Sequence, residues 1–207
     1  MRRSLRAVGR SAAAAAAALL VLSACGSEAT PAGEPSGTAV EPPFDVAATT
    51  LRDTDDEPFA LAEDTEDPLT LVFFGYTRCP DVCPAVMSTI TSALTRLDEE
   101  TREQVQVVFV TTDPSRDDPA TLRRYLDRFD EDFVGVTGEL EEIGELAESV
   151  GVFVAGAEEL ASGGYDLGSH GAQVIAVDQD GQAPMYWGQD TSSAEYAHDI
   201  ELLVGDL

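Results

Sequence analysis

The chain has 207 residues, 43% of them hydrophobic and 25% charged, with 12 basic residues, all Arg, against 39 acidic ones. The formal net charge of −27 excludes nucleic-acid binding through an electrostatic footprint and disfavours charge-driven docking on anionic lipid. The apolar fraction still suffices for a folded core, with the acids lining solvent faces.

In chain order, Arg2, Arg3, Arg6 and Arg10 form a basic head, followed by an Ala/Leu/Val run from Ser11 to Ala24. That run is too short for a spanning helix, which needs ~20 strongly apolar positions, so residues 1–24 read as a signal peptide. Removing them leaves 183 residues, with 8 basic against 39 acidic, the size of one domain. Leu22-Ser23-Ala24-Cys25 resembles the lipobox of bacterial lipoproteins. The resemblance implies acylation of Cys25 and an anchor at the extracytoplasmic face of the cell membrane, which two or three acyl chains make firm. Residues 26–43 (GSEATPAGEPSGTAVEPP) offer almost nothing to bury and read as a flexible tether spanning roughly 25 Å. The expected organisation is therefore a signal peptide at 1–24, a lipidated Cys and tether at 25–43, and one domain at 44–207.

Leu69 to Tyr76 (LTLVFFGY) is a continuous apolar run, typical of a strand buried on both faces. Pro84 to Leu97 reads as a helix, with Val86, Ile90, Leu94 and Leu97 at helical spacing. Val105 to Thr111 is a second buried strand. Asp118-Pro119 opens a helix, with Asp as N-cap and Pro at its first position. Leu122, Leu126 and Phe129 form its apolar stripe. Residues 140–150 form a further helix that Gly151 would end, and Val152 to Val154 is a short strand candidate. Two strands, 173–178 and 182–187, flank the turn Gln179-Asp180-Gly181, and an amphipathic helix runs from about Ser193 to Val204. This order predicts a thioredoxin-like α/β fold, a central mixed sheet flanked by helices.

Cys79-Pro80-Asp81-Val82-Cys83-Pro84 lies between the first buried strand and a helix, where ligand sites collect in open α/β sheets. If the helix has begun by Cys79, the i, i+4 spacing puts both sulfurs on one face. If it begins nearer Cys83, the loop must fold the first sulfur back. Three readings stand open: a structural disulfide, which an exported domain permits, a redox-active dithiol, and a metal site. For the last, zinc wants four N/S ligands and only His170 and His198 remain, too far apart for a zinc-finger pair. Copper(I) accepts two sulfurs and an imidazole, and Cu(II) the same set with a further weak ligand. His198 falls on the solvent side of the last helix, about 200° around from Tyr196. His170 ends a Gly-rich loop, residues 156–171, immediately before a core strand, and is the candidate ligand.

Taken together these residues resemble the Sco/SenC family of copper chaperones. The carriers are Phe74-Gly75-Tyr76-Thr77-Arg78-Cys79-Pro80-Asp81-Val82-Cys83-Pro84, the segment Val110-Thr111-Thr112-Asp113-Pro114-Ser115-Arg116-Asp117, and His170 set eight residues before Asp178. The resemblance implies Cys79, Cys83 and His170 as copper ligands and Asp113 as the acidic residue beside them. It departs at Ser169, where the family usually has Asp before the ligand His.

The expected function is that of a membrane-anchored, monomeric metallochaperone. It would deliver copper, as Cu(I) or Cu(II), to the copper-centre subunit of cytochrome c oxidase during assembly of the binuclear copper centre. The alternative is a thiol-disulfide oxidoreductase that reduces the target's cysteines with Cys79 and Cys83. The x3 spacing, and the lack of a Pro in residues 167–173, weigh toward metal. A peroxidase is weaker still, since Arg78 alone gives no specific support.

Overall fold

The computed structural model describes residues 33–65, 67–152 and 172–205. The elements run β1 (Thr38–Asp45), β2 (Thr50–Asp53), β3 (Pro58–Ala60), β4 (Leu69–Gly75), α1 (Val82–Leu94), α2 (Glu99–Arg102) and β5 (Val105–Thr111). They continue with α3 (Pro119–Leu126), β6 (Val134–Thr137), α4 (Leu140–Ser149), β7 (Val174–Asp178), β8 (Gln182–Trp187) and α5 (Ser193–Gly205). The strands make one mixed sheet in the order β1-β8-β7-β4-β5-β6-β2-β3.

At its centre β4 pairs parallel with β5 and antiparallel with β7. Every residue of β4 is buried, because both sheet faces are covered. Leu69, Leu71 and Phe73 point into one core with Ile90 of α1, Leu122 of α3 and Ile200 of α5. Val72 and Phe74 point into the other, with Ile143 and Leu146 of α4. At roughly 1.5–3 kcal/mol for each fully buried large apolar side chain, this strand is the main anchor of both layers.

The expected helix starts hold where the chemistry was local. The Asp118 side chain accepts from the Thr121 N–H at 2.7 Å, with Pro119 at the start of α3. Gly151 follows α4 with φ +76°, a left-handed value that glycine adopts freely. Val152 is buried but lies outside any strand, and the rest of the expected strand at 152–154 lies outside the described residues.

The N-terminal boundary differs from expectation. Thr38 to Asp45, read as tether up to Pro43, form the edge strand β1 against β8. An edge strand tolerates Pro42 and Pro43 because one side of it needs no ladder partner. The approach to β1 is secured by Asp199 of α5, whose side chain is fully buried. Its carboxylate accepts from the Ser36 N–H (2.9 Å), the Ser36 hydroxyl (2.6 Å), the Gly37 N–H (2.9 Å) and the Trp187 indole N–H (2.8 Å). The adjacent His198 is half-buried, where the helical wheel places it on the solvent side. Among the described residues, no helix is long and apolar enough to cross a membrane.

Candidate functional site

The sheet register brings the site together. Gly75, at the end of β4, pairs with Thr111 at the end of β5, and just beyond them the chain turns toward α1 and α3. Cys79 closes the first turn by donating its N–H to the Tyr76 carbonyl at 3.2 Å. The helix α1 then starts at Val82, whose N–H donates to the side chain of its N-cap, Asp81, at 2.8 Å. Cys79 thus precedes the helix and Cys83 lies in its first turn, and the loop folds the first sulfur back. The Cys83 N–H donates to the Cys79 sulfur at 3.3 Å.

Both cysteines are free thiols, Cys79 half-buried and Cys83 buried at 5% exposure. Their environments push them in opposite directions. The Cys83 thiol donates to the Cys79 sulfur, and so do the backbone N–H groups of Cys83 and Asp81 and the Tyr76 side chain. Against partial burial, these donors bring the Cys79 thiol from 9.0 down to about 5, since hydrogen bonds to a thiolate favour the charged form. Cys83 goes the other way: donating to Cys79 and being desolvated both hold it protonated. The pair is therefore one accessible thiolate and one buried thiol. A soft cation entering would displace the proton of Cys83 and meet two sulfurs at once.

Gly75 is part of this arrangement. A Cβ there would stand 3.0 Å from the Cys83 sulfur and 3.0 Å from the rings of Phe73 and Phe109. The absence of a side chain is what lets the buried sulfur rest against the end of β4.

The acidic segment after β5 separates into two roles. Asp113, 3% exposed, accepts from the Ser115 hydroxyl at 2.8 Å and forms an ion pair with Arg116. Its carboxylate engages its own loop. Asp117, which sequence reasoning passed over, is fully buried and reaches across to the thiol loop. It accepts from the Thr77 N–H (2.9 Å), the Thr77 hydroxyl (2.5 Å) and the Thr111 hydroxyl (2.8 Å). The only hint in the sequence was its place as the last Asp of the segment Asp113 to Asp117, after a buried strand.

His170 lies outside the described residues, as do Ser169 and Cys25. Among the described residues no three His, Cys, Asp or Glu side chains gather as a metal site.

Comparison with known proteins gives a consistent set of similarities. The SCO1/SenC family model matches residues 35–205. A Stutzerimonas stutzeri protein named for copper binding is 37% identical over 131 residues, 63% of each chain. The Schizosaccharomyces pombe protein sco1 is 29% identical over 138 residues, 66% of this chain and 52% of its own. The chain thus spans about half to two thirds of the length of the curated relatives it matches. Among solved structures, apo Sco1 of Thermus thermophilus is 30% identical, with TM-score 0.70 over 84% of this chain and 99% of that one. Copper-bound ScoI of Bradyrhizobium japonicum is 28% identical, with TM-score 0.63 over 75% and 97%. The mixed, helix-flanked sheet is thioredoxin-like, as the sequence led one to expect.

Proposed function

Because the chain belongs to the SCO1/SenC family, we propose that it is a copper metallochaperone in cytochrome c oxidase assembly, with Cys79, Cys83 and His170 as its ligands. One observation carries this reading: the Cys83 N–H and thiol both donate to the Cys79 sulfur at the start of α1, so two sulfurs sit side by side where a soft ion could be held. Relatives add weight. The Bradyrhizobium japonicum ScoI structure contains copper, and a further structural neighbour is described as one of the Sco family of cytochrome c oxidase assembly proteins.

Two thiolates form a soft, incomplete donor set for copper, and the imidazole of His170 would complete it. Copper here is cargo. It would leave by ligand exchange, an incoming sulfur or nitrogen of the oxidase subunit replacing one ligand at a time, with the more accessible Cys79 released first. Residues 1–24 would be removed at export. Cys25, once acylated, would hold the protein at the extracytoplasmic face of the membrane through a short tether ending at Ser36. A lipoprotein of the same family from Bacillus anthracis shares the fold.

The unequal thiols also favour a second reading, reduction of a target disulfide. The Cys79 thiolate would attack one target sulfur, forming a mixed disulfide and releasing the other as thiolate. Cys83, giving up its proton, would then attack the Cys79 sulfur and release the second target thiol. The target gains two electrons and the Cys79–Cys83 pair becomes a disulfide.

Copper titration of the reduced protein separates these readings. The wild type and His198→Ala should bind one Cu(I) or Cu(II) per chain, and Cys79→Ser, Cys83→Ser and His170→Ala should each lose stoichiometric binding. Normal affinity in His170→Ala removes that ligand. No copper in the wild type, with a dithiol reducing enough to open the oxidase cysteines, leaves the reductase.

A further inference from the structure

We propose that Asp117 is the positioning residue of the thiol site: through Thr77 its buried carboxylate fixes the turn carrying Cys79 against the helix carrying Cys83. The inference rests on reading Cys79 and Cys83 as the functional pair and names what holds them in place.

Asp117 is 40 residues from Thr77 in sequence, yet takes both of its donors, the N–H at 2.9 Å and the hydroxyl at 2.5 Å. Gripping backbone and side chain together leaves Thr77 little freedom to rotate or slide. Thr77 lies two residues before Cys79, inside the turn closed by the Cys79 N–H on Tyr76. The other end of the clamp is equally fixed. Thr111 donates its hydroxyl to Asp117 at 2.8 Å and accepts from the Asp113 N–H at 3.0 Å. Next to it, the Thr112 N–H donates to the Gly75 carbonyl at 2.7 Å. The end of β5 is thereby tied to the thiol turn through one carboxylate, and to the end of β4 by the Thr112–Gly75 bond.

A buried carboxylate is costly unless its hydrogen bonds are met. Among the described residues, its three donors come from the two segments flanking the site. The same burial at Asp199 serves the N-terminal edge of the sheet, which makes that residue an internal control for stability alone.

The test compares Asp117→Asn, Thr77→Val, Thr77→Ser and Asp199→Asn in the full reduced protein. The readouts are Cu(I) affinity, by competition with a chromophoric Cu(I) chelator, and hydrogen exchange of the Thr77 and Cys83 amides without copper. Asp117→Asn and Thr77→Val should lose about 10- to 100-fold in affinity, the range for residues that orient metal ligands, and should expose both amides to exchange. Thr77→Ser keeps both donors and should restore both readouts. Asp199→Asn should lower the melting temperature while leaving both unchanged. Thr77→Val, at a half-buried position, keeps the test alive if Asp117→Asn does not fold. Unaltered affinity and unaltered Cys83 exchange in Thr77→Val overturn the proposal. If the wild type binds no copper, the copper reading fails, and the amide exchange still decides the positioning role.

Discussion

The backbone N–H of Cys83 donates to the sulfur of Cys79 at 3.3 Å, so the first turn of a helix acts on a thiol that lies outside it. The four-residue spacing of the pair makes this contact possible without including Cys79 in the helix.

The first prediction is selective labelling. With its thiol at about 5, Cys79 is a thiolate throughout the neutral range. Its alkylation rate should be nearly flat above about pH 6 and fall as pH drops through about 5, whereas an ordinary thiol accelerates up to roughly 8.5. Cys83, buried and held protonated, should stay unmodified until the protein unfolds. Mass spectrometry of the iodoacetamide-treated reduced protein reads both. Equal labelling of the two at pH 6 would contradict the assigned donors.

Substitution at Gly75 tests how tightly the buried sulfur is seated. The added methyl of Gly75→Ala meets Cys83 and two aromatic rings at 3.0 Å, and overpacking of this kind costs about 1–3 kcal/mol. Urea unfolding should register that loss. Copper affinity should fall with it, because the Cys83 sulfur is displaced from its seat.

Removing Asp199 should loosen the N-terminal edge. Asp199→Ala leaves the Trp187 indole and the Ser36 and Gly37 amides without their shared acceptor. Losing several hydrogen bonds to a buried charge costs about 3 kcal/mol or more. The variant should be cleaved by protease ahead of Thr38 far faster than wild type, with the thiol chemistry unaffected.

Anchorage is tested at Cys25. Cys25→Ala should abolish acylation and release the protein from washed membranes into the soluble fraction, with its copper binding intact. Retention of Cys25→Ala on the membrane would point to another attachment.

Much of the core was legible because its signal was repeated. Seven consecutive buried positions in β4, and five in β5, exceed what any exposed element offers, and Asp118-Pro119 marks its helix start chemically. The outer strands were not legible. β2 and β3 have four and three residues, too few to display a period, and β6 is no longer than β2. β1 is largely exposed and carries two prolines, so its composition is that of a linker although Asp199 ties down its approach. The thiol pair was legible as a motif. Its support was hidden because Asp117 and Asp199 look like solvent-facing acids until the fold supplies partners 40 and more than 100 residues away.

The direction of β1 has a consequence for how the molecule hangs. Thr38 lies opposite Tyr186, Trp187 opposite Val174, and Val174 opposite Phe73, so the chain enters the sheet at the rim from which the Cys79 loop projects. Ten residues lie between Cys25 and Ser36, so the leash is at most about 40 Å even at full stretch. A protein moored by Cys25 would then be held by its sulfur-bearing rim, which keeps the thiol pair within a leash length of the bilayer surface.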